Sequence, residues 1–167
     1  LTSNATSIYW GTGVSTSAQS TFTATQTFSG NSSTLAAIFT NSAELATISA
    51  TAATGTINYD VSTQSVLYYT TNASGNWTLN FRGSSGTSLD SIMSTGESMS
   101  ATFLVTQGGT AYYNSAVTID GNAVTPKWQN GSAPSAGNAS SVDVYTYAII
   151  KTGSATFTVL ASQTKFA

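Results

Sequence analysis

A period of two constrains this chain more than any other feature. Trp77-Thr78-Leu79-Asn80-Phe81-Arg82 alternates apolar with polar side chains, which places Trp77, Leu79 and Phe81 on one face of a β-strand. The same rhythm recurs at Ile57, Tyr59 and Val61, and at Met99, Ala101, Phe103 and Val105. Turn residues interrupt it at Asn72-Ala73-Ser74-Gly75-Asn76, Gly83-Ser84-Ser85-Gly86 and Gly108-Gly109, and again between Asn130 and Asn138. A helix would scatter these apolar positions around its circumference. Only sheets with one face turned inward can bury them together.

The spacing predicts about nine or ten short strands, roughly ten residues apart, and almost no helix. Asp120-Gly121, between Val117-Thr118-Ile119 and Ala123-Val124-Thr125, marks a hairpin whose tight turn needs positive φ. Pro126 sits where a strand gives way to a loop. The last two strands are expected at about 141–151 and 155–166. Ser88 is placed to cap one helical turn, with Leu89, Ile92 and Met93 at i, i+3 and i+4. Ser65 to Thr71 reads as a strand covered on both faces or lying at an interface. Residues 1–45 are richer in serine and threonine. Ser20 to Phe28 alternates like a surface strand, and Leu35-Ala36-Ala37-Ile38-Phe39 suits a short buried strand or one helical turn. The expected fold is all-β, an antiparallel β-sandwich or a jelly-roll-like arrangement. Residues 1–45 form an N-terminal attachment or lead-in segment, and residues 46–167 form the β-sandwich module. No fixed repeat is visible, so neither a propeller nor a solenoid is expected.

The side chains available for chemistry are few. About a third of the 167 residues are serine or threonine and only 6% are charged, so hydroxyls rather than charges solvate the surface. The net charge is −2, and the four basic residues, Arg82, Lys127, Lys151 and Lys165, are dispersed; nucleic acid is not an expected partner. Cysteine and histidine are absent, which removes disulfides, thiolate metal sites, the commonest general base and the commonest neutral metal ligand. There is no apolar run of about 18 residues to cross a bilayer as a helix, and no membrane is expected. Low charge without cysteine suits a protein that stays folded outside a reducing cell. The chain opens Leu1-Thr2-Ser3 with neither an initiator methionine nor a signal-peptide pattern, as in a processed product or the ordered part of a longer chain.

The acids are Glu44, Asp60, Asp90, Glu97, Asp120 and Asp143. None sits in the context of a paired catalytic carboxylate, so no enzyme, cofactor or metal site is expected. Asp143 is the acid of most interest, because alternation puts Tyr145 and Tyr147 on its face. Its simpler reading is an edge-strand charge that discourages aggregation. The flat rings of Trp77, Trp128, Tyr68, Tyr69, Tyr112 and Tyr113 could stack on sugars, although aromatics in a sandwich usually form its core. Adjacent strand residues point to opposite faces, so one tyrosine in Tyr68-Tyr69 and in Tyr112-Tyr113 must leave the core. Together with Tyr145 and Tyr147, these residues are the candidate subunit interface or ligand face. Six Asn-x-Ser/Thr sequons, beginning at Asn4, Asn31, Asn72, Asn76, Asn130 and Asn138, are what so hydroxyl-rich a chain produces by chance.

The run Thr118-Ile119-Asp120-Gly121 to Val124-Thr125-Pro126-Lys127-Trp128-Gln129-Asn130-Gly131-Ser132-Ala133-Pro134 resembles a known module. So do Gly137-Asn138-Ala139, Asp143-Val144-Tyr145-Thr146-Tyr147, Ile150-Lys151-Thr152-Gly153 and Thr158 to Phe166. They are similar to the C-terminal β-rich module of virion structural and tail-fibre-like proteins of marine tailed bacteriophages of the cyanophage and pelagiphage type. The likeness extends back through Thr95-Gly96-Glu97-Ser98, Asn80-Phe81-Arg82-Gly83 and Ala50 to Gly55, covering roughly residues 46–167. It implies a non-enzymatic structural protein on the virion surface, head or tail: a fibre or appendage subunit, a capsid decoration protein, or a receptor-binding, lectin-like domain at a fibre tip. The expected partners are its own copies in a homotrimer, other virion proteins through residues 1–45, and a host surface glycan. The resemblance carries no catalytic or binding residues.

Overall fold

The alternating segments fold into two facing sheets in the computed structural model, which describes residues 2–4, 7–9, 25, 27–33, 35–39 and 42–167. The chain divides into two compact units, residues 1–42 and 43–167. In the first, β1 (Thr2–Asn4) pairs antiparallel with β2 (Ser7–Tyr9). The strand expected at Ser20 to Phe28 lies mostly outside the described residues. Leu35 to Phe39 is neither buried strand nor helical turn but irregular backbone, with Leu35, Ile38 and Phe39 exposed.

The second unit holds the sandwich. Its larger sheet contains β3 (Ala46–Ala52), β5 (Val66–Thr71), β7 (Ser98–Thr106), β10 (Lys127–Trp128), β11 (Val142–Gly153) and β12 (Thr156–Phe166) in the order β10-β12-β11-β7-β5-β3. The smaller contains β4 (Gly55–Asp60), β6 (Trp77–Arg82), β8 (Asn114–Ile119) and β9 (Asn122–Val124), ordered β4-β6-β8-β9. The expected all-β sandwich is therefore present.

Strand direction differs from the antiparallel expectation. β7/β11, β11/β12 and β8/β9 are antiparallel. However, β3/β5, β5/β7, β4/β6, β6/β8 and β10/β12 run parallel. From β3 to β8 each strand crosses to the opposite sheet, so neighbours within a sheet are every second strand and point the same way. A hairpin lays the chain beside itself, whereas these links carry it across the core. The turns stack: Ser74 N donates to Ala53 O (3.0 Å), Ala73 N to Thr106 O (2.9 Å) and Trp77 N to Tyr113 O (3.3 Å). Ala53 and Ala73, small enough to turn inward at these corners, are buried. This coiled path has no constant period, because paired residues lie 20 apart at Ala46 and Val66 but 36 apart at Val66 and Thr102.

The core is aromatic. Trp77, Phe81 and Phe103 are buried, as expected, and rings meet edge to face between the sheets at Trp77–Phe103, Trp77–Tyr145 and Phe81–Tyr147. Each such pair adds about 0.5–1.5 kcal/mol beyond the area it buries. Trp128 is only half-buried and leans its ring on Tyr147 at the margin. Asp120 (φ 51°) and Gly121 (φ 79°) make the expected two-residue hairpin turn between β8 and β9. The helical turn α1 (Leu89–Ile92) is there too, with Ser88 Oγ accepting from Ser91 N.

Candidate functional site

The residues singled out from sequence do not converge on one surface. Tyr145 and Tyr147 point into the core and are buried. Tyr69 also turns inward, its ring edge-on to Phe103 at 5.2 Å. Burial raises the hydroxyl pKa of all three, so they are neutral at physiological pH. Tyr112 packs against the core, and Tyr113 lends its backbone to the corner, accepting from Trp77 and donating to Asn76 Oδ1. Only Tyr68 stands on the outer face of the larger sheet.

That outer face is continuous. Ile48, Tyr68, Leu104, Val144 and Thr164 are successive register partners across β3, β5, β7, β11 and β12. The row beside it reads Ala46, Val66, Thr102, Thr146 and Ser162. Ile48 is 68% exposed, while Tyr68, Leu104 and Val144 are half-buried. The result is a neutral apolar ridge flanked by hydroxyls. Tyr68-Tyr69 signalled it in the sequence; Leu104 and Val144 did not, because single aliphatics on alternate positions look like core.

Asp143 lies within the sheet rather than at its edge. β11 runs between β7 and β12, so the carboxylate points into the sandwich with 0% exposure. Its Oδ2 accepts from Asn138 N (3.0 Å), Gln107 Nε2 (3.0 Å) and Gln163 Nε2 (3.5 Å); Oδ1 is buried without a partner. Burial pushes its pKa up, while Asn138 N–H, Gln107, the Lys165 charge and Gln163 pull it back. Gln107 also clasps Tyr112, accepting from its N–H (3.0 Å) and donating to its carbonyl (2.6 Å). From Asp143 the network continues through Gln163 Nε2 to the Tyr145 hydroxyl (2.8 Å), and from Asn114 N to the same hydroxyl (3.4 Å). Tyr147 then donates to Asn114 Oδ1 (3.2 Å). These bonds tie the β7–β8 corner, the loop before β11 and both sheets together. Gly137 closes the network: a β-carbon there would fall 2.3 Å from Tyr112 O, 2.7 Å from Gln107 Nε2 and 2.8 Å from Asp143 Oδ2.

The other five acids also have intramolecular partners. Asp60 pairs with Arg82 across β4 and β6 at 2.5 Å. Asp90 holds Lys151 Nζ (2.7 Å) and accepts from Ala155 N (2.7 Å); the lysine bond, then the Ala155 bond, keeps its pKa low. Asp120 adds a function to its turn, since its carboxylate accepts from Leu89 N (2.7 Å) and Asp90 N (3.0 Å) at the start of α1. Glu97 Oε2 accepts from Ser94 N, and Glu44 Oε2 from the Ser65 hydroxyl, both at 2.8 Å. Among the described residues there is no group of three or more acidic side chains able to hold a metal ion.

Three open depressions adjoin Trp128. The largest, about 700 Å3, has walls of Thr78, Ser115, Thr118 and Thr125 with Val124 and Lys127. Compared with known proteins, the chain matches no family model, no curated protein and no solved structure.

Proposed function

We propose that the protein is a non-enzymatic structural subunit on the surface of a bacteriophage particle, a fibre or appendage component built by repeating one small sandwich. The observation that carries this reading is the outer face of the larger sheet. A registered ridge of Ile48, Tyr68, Leu104 and Val144 without a charged residue suits a covering neighbour better than water. The resemblance supplies the virion setting, and the residues that carry it serve the fold: Asp120-Gly121 turns a hairpin, and Gly137-Asn138 closes over Asp143. In this reading a homotrimer seats three copies on this ridge, with residues 1–45 reaching other virion proteins. With 6% charged residues, such contacts lose little when salt is raised.

Light scattering of the full chain tests the reading. The expected result is an assembly of three copies or a multiple of three, broken down by Leu104→Lys while circular dichroism still reports a folded sandwich. A wild-type monomer at micromolar concentration would refute it. Antibody labelling of intact particles then separates fibre from capsid decoration. A receptor-binding, lectin-like role is the second reading, favoured by the hydroxyl-walled depressions that meet at Trp128. It expects glycan-array binding that Trp128→Ala abolishes in a folded protein; silence across a broad array removes it.

A further inference from the structure

The two ends of the sandwich are finished differently. At one end lie β9 and β10, three and two residues long, with Pro126 between them and Lys127 on β10. Short strands, a proline and a lysine are the devices by which sheet edges discourage pairing. At the other end lie β3 and β4, seven and six residues long and joined only by Ala53-Thr54. Among the described residues each is hydrogen-bonded on one side alone, β3 to β5 and β4 to β6. Neither contains proline or lysine, and Asp60, their one charged residue, is tied to Arg82. β4 runs in unbroken register with β6, and the one irregularity of β3 falls between Ser49 and Ala52.

We propose that this end docks a second copy of the chain, β3 pairing antiparallel with β3 and β4 with β4. The geometry is self-complementary. A two-fold axis normal to the sheets sets β3 antiparallel to its copy and β4 antiparallel to its copy in one operation. A closed two-fold contact of this kind stops at two copies. Edge backbone groups supply the donors and acceptors, and the neutral strands meet without like-charge repulsion. The ridge on the outer sheet face is a separate surface, and the end-to-end contact does not depend on the virion reading.

Because the chain has no cysteine, any thiol introduced is its only one. Single cysteines are placed in the full chain at each position from Ala46 to Ala50 and at Thr56 and Asn58, then oxidised. A disulfide needs Cα atoms within about 7 Å, so the two-fold predicts a self-linked dimer at the one β3 position nearest the axis and little linkage elsewhere along that strand. Ala50→Lys with Thr56→Lys, both exposed and off the ridge, should halve the mass by light scattering and expose β3 and β4 amides to hydrogen exchange, with the sandwich still folded by circular dichroism. Leu104→Lys should leave the self-linking intact. Three results overturn the proposal: a monomer up to about 100-fold above micromolar concentration, an assembly that the double-lysine variant leaves intact with no β3 position self-linking, or β3 amides protected in a monomer. A homotrimer without self-linking would retain the proposed function and remove the end-to-end pairing.

Discussion

Substituting Gly137 by alanine isolates what the loop over Asp143 contributes. The nearest atom to the new methyl is a backbone oxygen, Tyr112 O at 2.3 Å, so relief requires moving main chain. Forcing a methyl into a filled site costs about 1–3 kcal/mol. Lifting the loop also lengthens Asn138 N to Asp143 Oδ2, and a buried acceptor that loses a donor costs about 1–3 kcal/mol. Alanine restricts the unfolded chain, which returns about 0.4–1 kcal/mol. The net is a destabilisation of about 2–4 kcal/mol, or a Tm lower by about 5–15 °C for a domain of this size. Gly86→Ala and Gly109→Ala are the controls: neither has positive φ, and a β-carbon at either meets nothing within 4 Å. Both should fall within about 1 kcal/mol of wild type, on the stabilising side. Urea unfolding followed by tryptophan fluorescence reads all three. A Gly137→Ala protein as stable as Gly86→Ala would refute the account of a loop locked against the β7–β8 corner.

Asp143 and Asp90 should respond to pH with opposite signs. Burial raises the Asp143 pKa, so the folded state holds its proton longer, and this carboxyl lowers stability as pH rises from about 3.8 upward; Asp143→Asn should flatten that part of the Tm–pH curve. The Asp90 pKa is lowered, so its contribution is present above about 3.8 and lost below; Asp90→Asn should cost stability at neutral pH and little in acid. Lys151→Met removes the ammonium that Asp90 O, Met93 O and Asp90 Oδ1 share, and calorimetry should show a loss of about 1–3 kcal/mol. Asp120→Ala frees Leu89 N and Asp90 N and places alanine at φ 51°, for a loss of about 1–2 kcal/mol; Asp120→Asn, which tolerates that φ and keeps one acceptor oxygen, should lose less.

What the sequence disclosed was local. Alternation named the inward faces of β4, β6 and β7, because a strand has only two faces and Ile57, Tyr59, Trp77, Leu79, Phe81, Phe103 and Val105 occupy one. Asp120-Gly121 and Ser88 announced their turn and cap, since both act within a few residues. Pairing partners were not legible. Nothing in Ala46–Ala52 says whether its neighbour is the next strand or the one after, and the answer depends on a corner that crosses the core. The Asp143 network was hidden for the same reason: Gln107 lies 36 residues away, and an aspartate on a strand reads equally well as an edge charge. The tyrosine pairs correctly implied two faces at Tyr68-Tyr69, where the outward ring joins a ridge that only register could reveal.

The position of β11 governs how the molecule is made. It pairs with β7, yet Val142 follows Thr106 by 36 residues, which is about 2–7 s of synthesis. During that interval the β7 edge lacks its neighbour, and other nascent chains compete to fill it. The outward side of β7 reads Ser98, Ser100, Thr102, Leu104 and Thr106, four hydroxyls and one leucine. A strand so hydroxylated stays wetted while it waits. The serine and threonine that replace charge on the finished surface thereby also protect the unfinished one, before the last hairpin arrives to close the sheet.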